Sequence, residues 1–161
     1  MQSVEEDLTA WKREFPDLDA DSLAPILQAF VVVDSIELFR RRVLEPFEIS
    51  ASEYDVLAAL RRSGAPYRLN PGILTARLGR SSGGMTKMLK RLQAGGYVER
   101  VRDPEDGRGS LVVLSRRGLE LQRRILGAFA AASRNRFERL GGSRLAEIEN
   151  AMKNFCEALE R

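Results

Sequence analysis

The 161-residue chain contains no histidine. That removes the commonest general base and the commonest protein metal ligand. Triads of the Ser–His–Asp or Cys–His kind are excluded. A zinc site would have to combine one cysteine with carboxylates, which is a poor ligand set. The expectation is therefore a protein that is not an enzyme and holds neither a metal nor another cofactor. Cysteine is nearly absent as well. Cys156 alone rules out an internal disulfide framework and fits a reducing cytoplasm. Beside Phe155 on an apolar helix face, its thiol is expected to be packed and inert. No run approaches the roughly 18 uninterrupted apolar residues of a membrane span. The N-terminal MQSVEEDLTAWKREFPDLD is acidic and lacks the apolar stretch of a secretory signal. A cytoplasmic protein without a membrane partner is expected.

What is present is the make-up of a globular chain, 43% hydrophobic and 30% charged. The net charge of +3 is unevenly spread: Met1 to Asp21 carries seven acids against Lys12 and Arg13. Arg80 to Arg124 carries eleven Lys and Arg against five acids. A basic middle suits a polyanionic partner, although charge alone fits a solvated surface equally well.

The pattern along the chain is mostly helical. Residues 5 to 14 read as a short acidic helix with Leu8 and Trp11 on one side, broken by FPDLDADS. Helix signal resumes near Ser22 and ends before Pro46. Its apolar residues, among them Ile26, Phe30, Val33 and Ile36, are too widely spread for one buried stripe, which suggests a second face turned to another subunit. Over 50 to 64, Ser50 or Ser52 caps a helix, Glu53 is placed for a capping box with Ser50, and Gly64 stops it. APYRL is a short extended link. Asn70 caps the next helix, with Pro71 at its first position and Gly79 at its end. A serine cap starts the helix that ends at Gly95-Gly96. YVERV and SLVVLS are strand-like. Helices follow over about 116 to 140 and 143 to 160, with the break placed at the GGS of 141 to 143. The fold class is mainly α with a small β-wing. Three parts are expected in one compact chain: 1–45, 46–115 and 116–161.

Residues 74 to 92, LTARLGRSSGGMTKMLKRL, pair two helices across a tight turn. Leu74, Leu78, Met85 and Leu89 can form their shared core, and Ala76 is small enough to let the helices approach. This is the logic of a helix-turn-helix, whose second helix enters the major groove. The outer side of that helix offers Ser82, Gly83, Thr86, Lys87, Lys90 and Arg91, hydroxyls and cations suited to base edges and phosphates. An ordinary helical hairpin with a solvated face is the competing reading. The loop between the strands, DPEDGRG, carries Arg108 at its tip. An arginine on a thin loop can enter a minor groove, where the negative potential favours guanidinium.

Over about Leu23 to Leu159 the sequence resembles the multiple antibiotic resistance regulator (MarR) family of winged-helix transcription factors. The resemblance is carried by EYDVLAALRRSG, the helix-turn-helix segment, LQAGGYVERVRDPEDGRGSLVVLSRRG and the closing helix pair. It implies a winged helix-turn-helix with N- and C-terminal dimerisation helices. It also implies a homodimeric repressor of double-stranded DNA, with a roughly palindromic operator whose half-sites lie about one turn apart. Arg108 becomes the wing arginine; many members have two adjacent arginines, whereas here Gly107 and Gly109 flank one. The N-terminal AWKREFPDLD is similar to an extension in a branch with urate-responsive members. That likeness implies a ligand response through Trp11, Asp55 and Arg100. A further arginine of that branch falls at Met88, which cannot pair with an anion, so the ligand implied is a small aromatic or apolar molecule. The alternative function is a winged-helix protein-interaction module with only weak, non-specific DNA binding.

Overall fold

A computed structural model describes residues 3–104 and 109–160. The chain forms two compact units, 1–46 and 47–161. In the first, helix α1 (Val4–Glu14) opens with a reciprocal cap: Glu6 N–H donates to Ser3 Oγ at 3.2 Å and Ser3 N–H donates to Glu6 Oε2 at 2.9 Å. Trp11 stacks on Phe15, centroids 5.8 Å apart, and both rings are exposed. Helix α2 (Ala20–Leu44) starts at an Asp19 cap and runs through Pro25. The start lies two residues before the expected Ser22, because Asp19 caps the helix by accepting from Ser22 N–H at 3.2 Å. Ile26, Phe30, Val33, Ile36 and Leu38 are all exposed along it. Window-averaged, Ser22–Phe47 has the length and apolar composition to cross a membrane, with a mean hydropathy of 1.6, even though no long uninterrupted apolar run occurs.

The second unit contains α3 (Ala51–Arg62), β1 (Arg68–Leu69), α4 (Pro71–Leu78), α5 (Ser82–Ala94), β2 (Val98–Arg102), β3 (Ser110–Leu114), α6 (Arg116–Phe137) and α7 (Gly141–Leu159). The sheet has three strands rather than the hairpin alone. The link read as merely extended supplies β1, and the order is β1-β3-β2, antiparallel throughout. β3 is thus central, and Val112, paired with both Leu69 and Arg100, is fully buried. The core gathers Val56, Leu57 and Leu60 of α3, Leu74 of α4, Met85, Leu89 and Leu92 of α5, and Ile125 of α6. Tyr54 packs on Phe129, centroids 5.3 Å apart, tying α3 to α6.

The junction of β3 and α6 explains the Ser-x-x-Gly sequence. Ser115 Oγ accepts from Gly118 N–H at 3.0 Å, capping α6, and donates to the Gly96 carbonyl at 2.6 Å. At Gly118 a Cβ would lie 2.0 Å from the Tyr97 carbonyl oxygen, so only glycine allows α6 to approach that closely.

Two expectations are corrected in the closing helices. The break falls at a 3-10 turn over Glu138–Leu140, and Gly141 and Gly142 already belong to α7. The turn tightens before the glycines because Gly141, at φ 69°, redirects the chain where α7 begins. Cys156 is exposed rather than packed, since α7 buries none of its residues within the chain.

Candidate nucleic-acid interface

The turn between α4 and α5 sets the direction of α5. Gly79 adopts the left-handed conformation at φ 58°, which closes α4 by reversing its backbone. Asn70 accepts from Gly72 N–H at 2.7 Å and Ser81 from Gly84 N–H at 3.2 Å, so both helices start at side-chain caps. Met85, Leu89 and Leu92 recur at the spacing of one helical face and are all buried, anchoring α5 to the body. Leu74 of the expected shared core is buried and Leu78 half-buried.

The opposite face of α5 is open. Ser82, Gly83, Thr86, Lys87 and Lys90 are exposed. Lys87 and Lys90 make no ion pair with any described residue. Thr86 Oγ1 donates to the Ser82 carbonyl at 2.9 Å, which leaves the hydroxyl oxygen able to accept.

Arg91 differs from its neighbours. Its Nε lies 2.9 Å from Glu53 Oε1, and the Glu53 side chain is only 4% exposed. The other carboxylate oxygen accepts from Ser50 N–H at 2.9 Å and Ser50 Oγ at 2.7 Å. One buried charge therefore caps α3 and holds the end of α5, with both oxygens satisfied. Arg91 is a strut between helices as much as a cation on the outer face. Reading the sequence found the Ser50–Glu53 box but had no signal for the Arg91 contact, which depends on how α5 crosses α3.

Two cations were missed. Arg77 and Arg80 are exposed on either side of Gly79. Both can be read in RLGR, where cations bracket the glycine between the two helices of a helix-turn-helix. Arg108 lies outside the described residues. The strands that carry it end at the pair Arg102 and Ser110, beyond which Asp103 N–H donates to the Gly109 carbonyl at 3.0 Å. Of the residues implied for ligand response, Asp55 is half-buried in α3, Arg100 is exposed on β2, and Trp11 belongs to the other unit. Met88 is half-buried on α5.

Residues 47–109 match the model of the MarR family. Over 116 residues the chain is 32% identical to the HTH-type transcriptional regulator PecS of Dickeya dadantii (strain 3937), covering 72% of this chain and 70% of PecS. The chain belongs to the MarR family. It is a winged helix-turn-helix transcription regulator of that family. The multiple antibiotic resistance protein MarR of Escherichia coli (strain K12) is 37% identical over 75 residues, 47% of this chain and about half (50%) of that protein's length. Among solved MarR structures, a cysteine-to-serine variant from E. coli complexed with operator DNA superimposes with a TM-score of 0.65 at 25% identity, covering 83% of this chain and 96% of that one. A MarR family protein from Bacillus stearothermophilus reaches a TM-score of 0.74 at 16% identity over 89% of this chain and 99% of its own, a likeness of fold.

Proposed function

We propose that the protein is a homodimeric, sequence-specific repressor that binds double-stranded DNA in the cytoplasm and leaves its operator when a small aromatic or apolar ligand binds. The observation that carries this reading is the outer face of α5: Lys87 and Lys90, without a carboxylate partner among the described residues, stand beside Ser82, Gly83 and Thr86 on a helix anchored by three buried side chains. Inserted in a major groove, such a face supplies hydroxyls to base edges and ammonium groups to phosphates. Arg91 contributes a backbone contact from a guanidinium steadied by Glu53. Arg108 reaches the adjacent minor groove. That a relative of the same fold has been crystallised with operator DNA supports the reading of a DNA-binding protein.

The dimer reading rests on α2, α6 and α7. Phe30 and Val33 on α2, and Leu126, Ile148 and Met152 on α6 and α7, are exposed apolar surface of the kind that marks interfaces. A second copy covers it and places two α5 helices on one symmetry axis, facing a pseudo-palindromic operator. Asp34 and Glu37 interrupt the apolar surface of α2, which suits an interface with water at its rim better than a lipid environment. Trp11, Asp55 and Arg100 are the residues proposed for ligand response.

The test is a titration by fluorescence anisotropy at about physiological salt, using the DNA upstream of the protein's own gene and a scrambled duplex. The expected result is nanomolar-order binding to the first and a preference of about a thousandfold or more over the second. Equal, weak binding to both that vanishes as salt rises refutes sequence specificity and leaves only counterion-driven association.

A further inference from the structure

At the base of the wing, beneath the start of α6, lies a groove of about 480 Å³ lined by Tyr97, Arg116, Arg117, Glu120, Leu121 and Arg124. Arg117, Leu121 and Arg124 follow one another at helical spacing, as do Arg116, Glu120 and Arg124, so three guanidiniums converge on one side of α6. None of the three makes an ion pair with a described residue. The one carboxylate in the groove is already engaged: Glu120 accepts from Arg123 Nε at 3.1 Å and Nη2 at 2.9 Å, a two-point contact.

Two of the guanidiniums are braced by rings. Arg117 lies over the Tyr97 ring with its Cζ 5.1 Å from the centroid, and Arg124 lies over Phe47 at 5.6 Å. Stacking of this kind holds a guanidinium plane in place while leaving its N–H edge free to donate. The Tyr97 hydroxyl has no hydrogen-bond partner among the described residues and adds another donor at the same place. Glu120, held by Arg123 and also facing the charge of Arg124, offsets only part of the three guanidiniums, and the surplus positive charge matches a multiply charged anion.

The groove lies at the opposite end of the strand pair from the wing loop. It adjoins the Val98–Leu114 end of the strand pair, whereas the wing loop leaves from the Arg102–Ser110 end. Four rises of about 3.3 Å each put roughly 13 Å between the two ends.

We infer that this groove binds a small, multiply charged oxyanion, a phosphate ester or a dicarboxylate, through Arg116, Arg117 and Arg124 with Tyr97 as a further donor. The site does not depend on the DNA-binding reading, and its primary test needs no DNA. Full-length protein is titrated calorimetrically at constant ionic strength with pyrophosphate, with malonate and with chloride, alongside R117Q/R124Q. Saturable binding of pyrophosphate or malonate, absent with chloride and weakened about tenfold or more in the double variant, supports the site. Which of the two anions binds names the chemistry. If the double variant melts early because its ring contacts are gone, Arg116→Gln, which touches no ring, takes its place with the same expectation. Absence of saturation with both anions, or equal affinity in wild type and variants, overturns the inference. So does a tenfold loss of operator affinity in the variants when neither small anion binds, since the groove is then a phosphodiester contact.

Discussion

Leu89 on α5 and Phe30 on α2 are both large apolar residues on helices, yet Leu89 is 1% exposed and Phe30 64%. The contrast extends to whole regions. From α3 to the first half of α6, apolar side chains close around Val112 and Ile125, and polar groups in that core are paired. On α2 and α7, apolar side chains recur at helical spacing and remain open. The winged region closes its core within one chain; the flanking helices leave their apolar faces open, as the proposed dimer requires. A chain whose stability and assembly are divided in this way should respond to mutation differently in its two regions.

The largest effect is expected at the open face. Phe30→Glu places a charge where each copy would bury an aromatic ring. Burial of such a side chain contributes roughly 1.5–3 kcal/mol, and symmetry applies the loss twice. The dimer dissociation constant should rise at least about a hundredfold, measured by analytical ultracentrifugation, while the winged region keeps its circular dichroism. An unchanged dimer would mean that α2 is not in the interface.

Next comes the closed region. Gly118→Ala drives a Cβ into the Tyr97 carbonyl, a backbone group that cannot swing aside, with the Leu114 side chain also close. Overpacking of this kind costs about 1–3 kcal/mol. Thermal unfolding should shift down by several degrees at a protein concentration that keeps the dimer saturated. The substitution should leave the dimer constant unchanged, which separates it from Phe30→Glu.

Glu53→Gln sharpens the comparison at the contact between α3 and α5. It leaves the Ser50 contacts partly satisfied but removes the charge opposite Arg91. About 1–3 kcal/mol of stability should be lost. Lys87→Gln, on the open face of the same helix, should leave the melting temperature within a degree. It should weaken DNA binding across sequences and lower the salt slope by about one. If Arg91 is a strut, Arg91→Gln changes both quantities; loss of DNA affinity alone would make it a pure DNA contact.

How much of this was legible in the sequence depended on the range of the forces involved. Caps and turns act over three or four residues, so Ser50–Glu53, Asn70–Pro71, Gly79 and the serine before α5 could be read directly. Helical spacing also marked Met85, Leu89 and Leu92 as the inner face of α5. Contacts set by crossing angles were hidden. Arg91 meets Glu53 across 38 positions of chain, and β1 is a strand only because β3 has an open edge beside it. The same limit applied to Cys156. Its apolar neighbours suggested packing, but sequence cannot distinguish a face buried within the chain from one left for a second copy.

The smallest expected effect is the most informative about α5 itself. Gly83 lies in the first turn of that helix, where glycine costs about 0.8–1 kcal/mol relative to alanine. Nothing among the described residues asks for it: a Cβ there would meet none of their atoms within 4 Å, and its φ is not in the left-handed range. At Gly118 the neighbouring backbone explains the glycine, and at Gly83 no neighbour does. A reason outside the chain remains, namely close approach of a phosphate to bare backbone N–H groups at a helix start. Gly83→Ala should therefore raise the melting temperature by a degree or two while weakening operator binding several-fold. Higher stability with unchanged DNA affinity would show that the duplex does not approach this turn, and would move the contact surface toward Lys87 and Lys90.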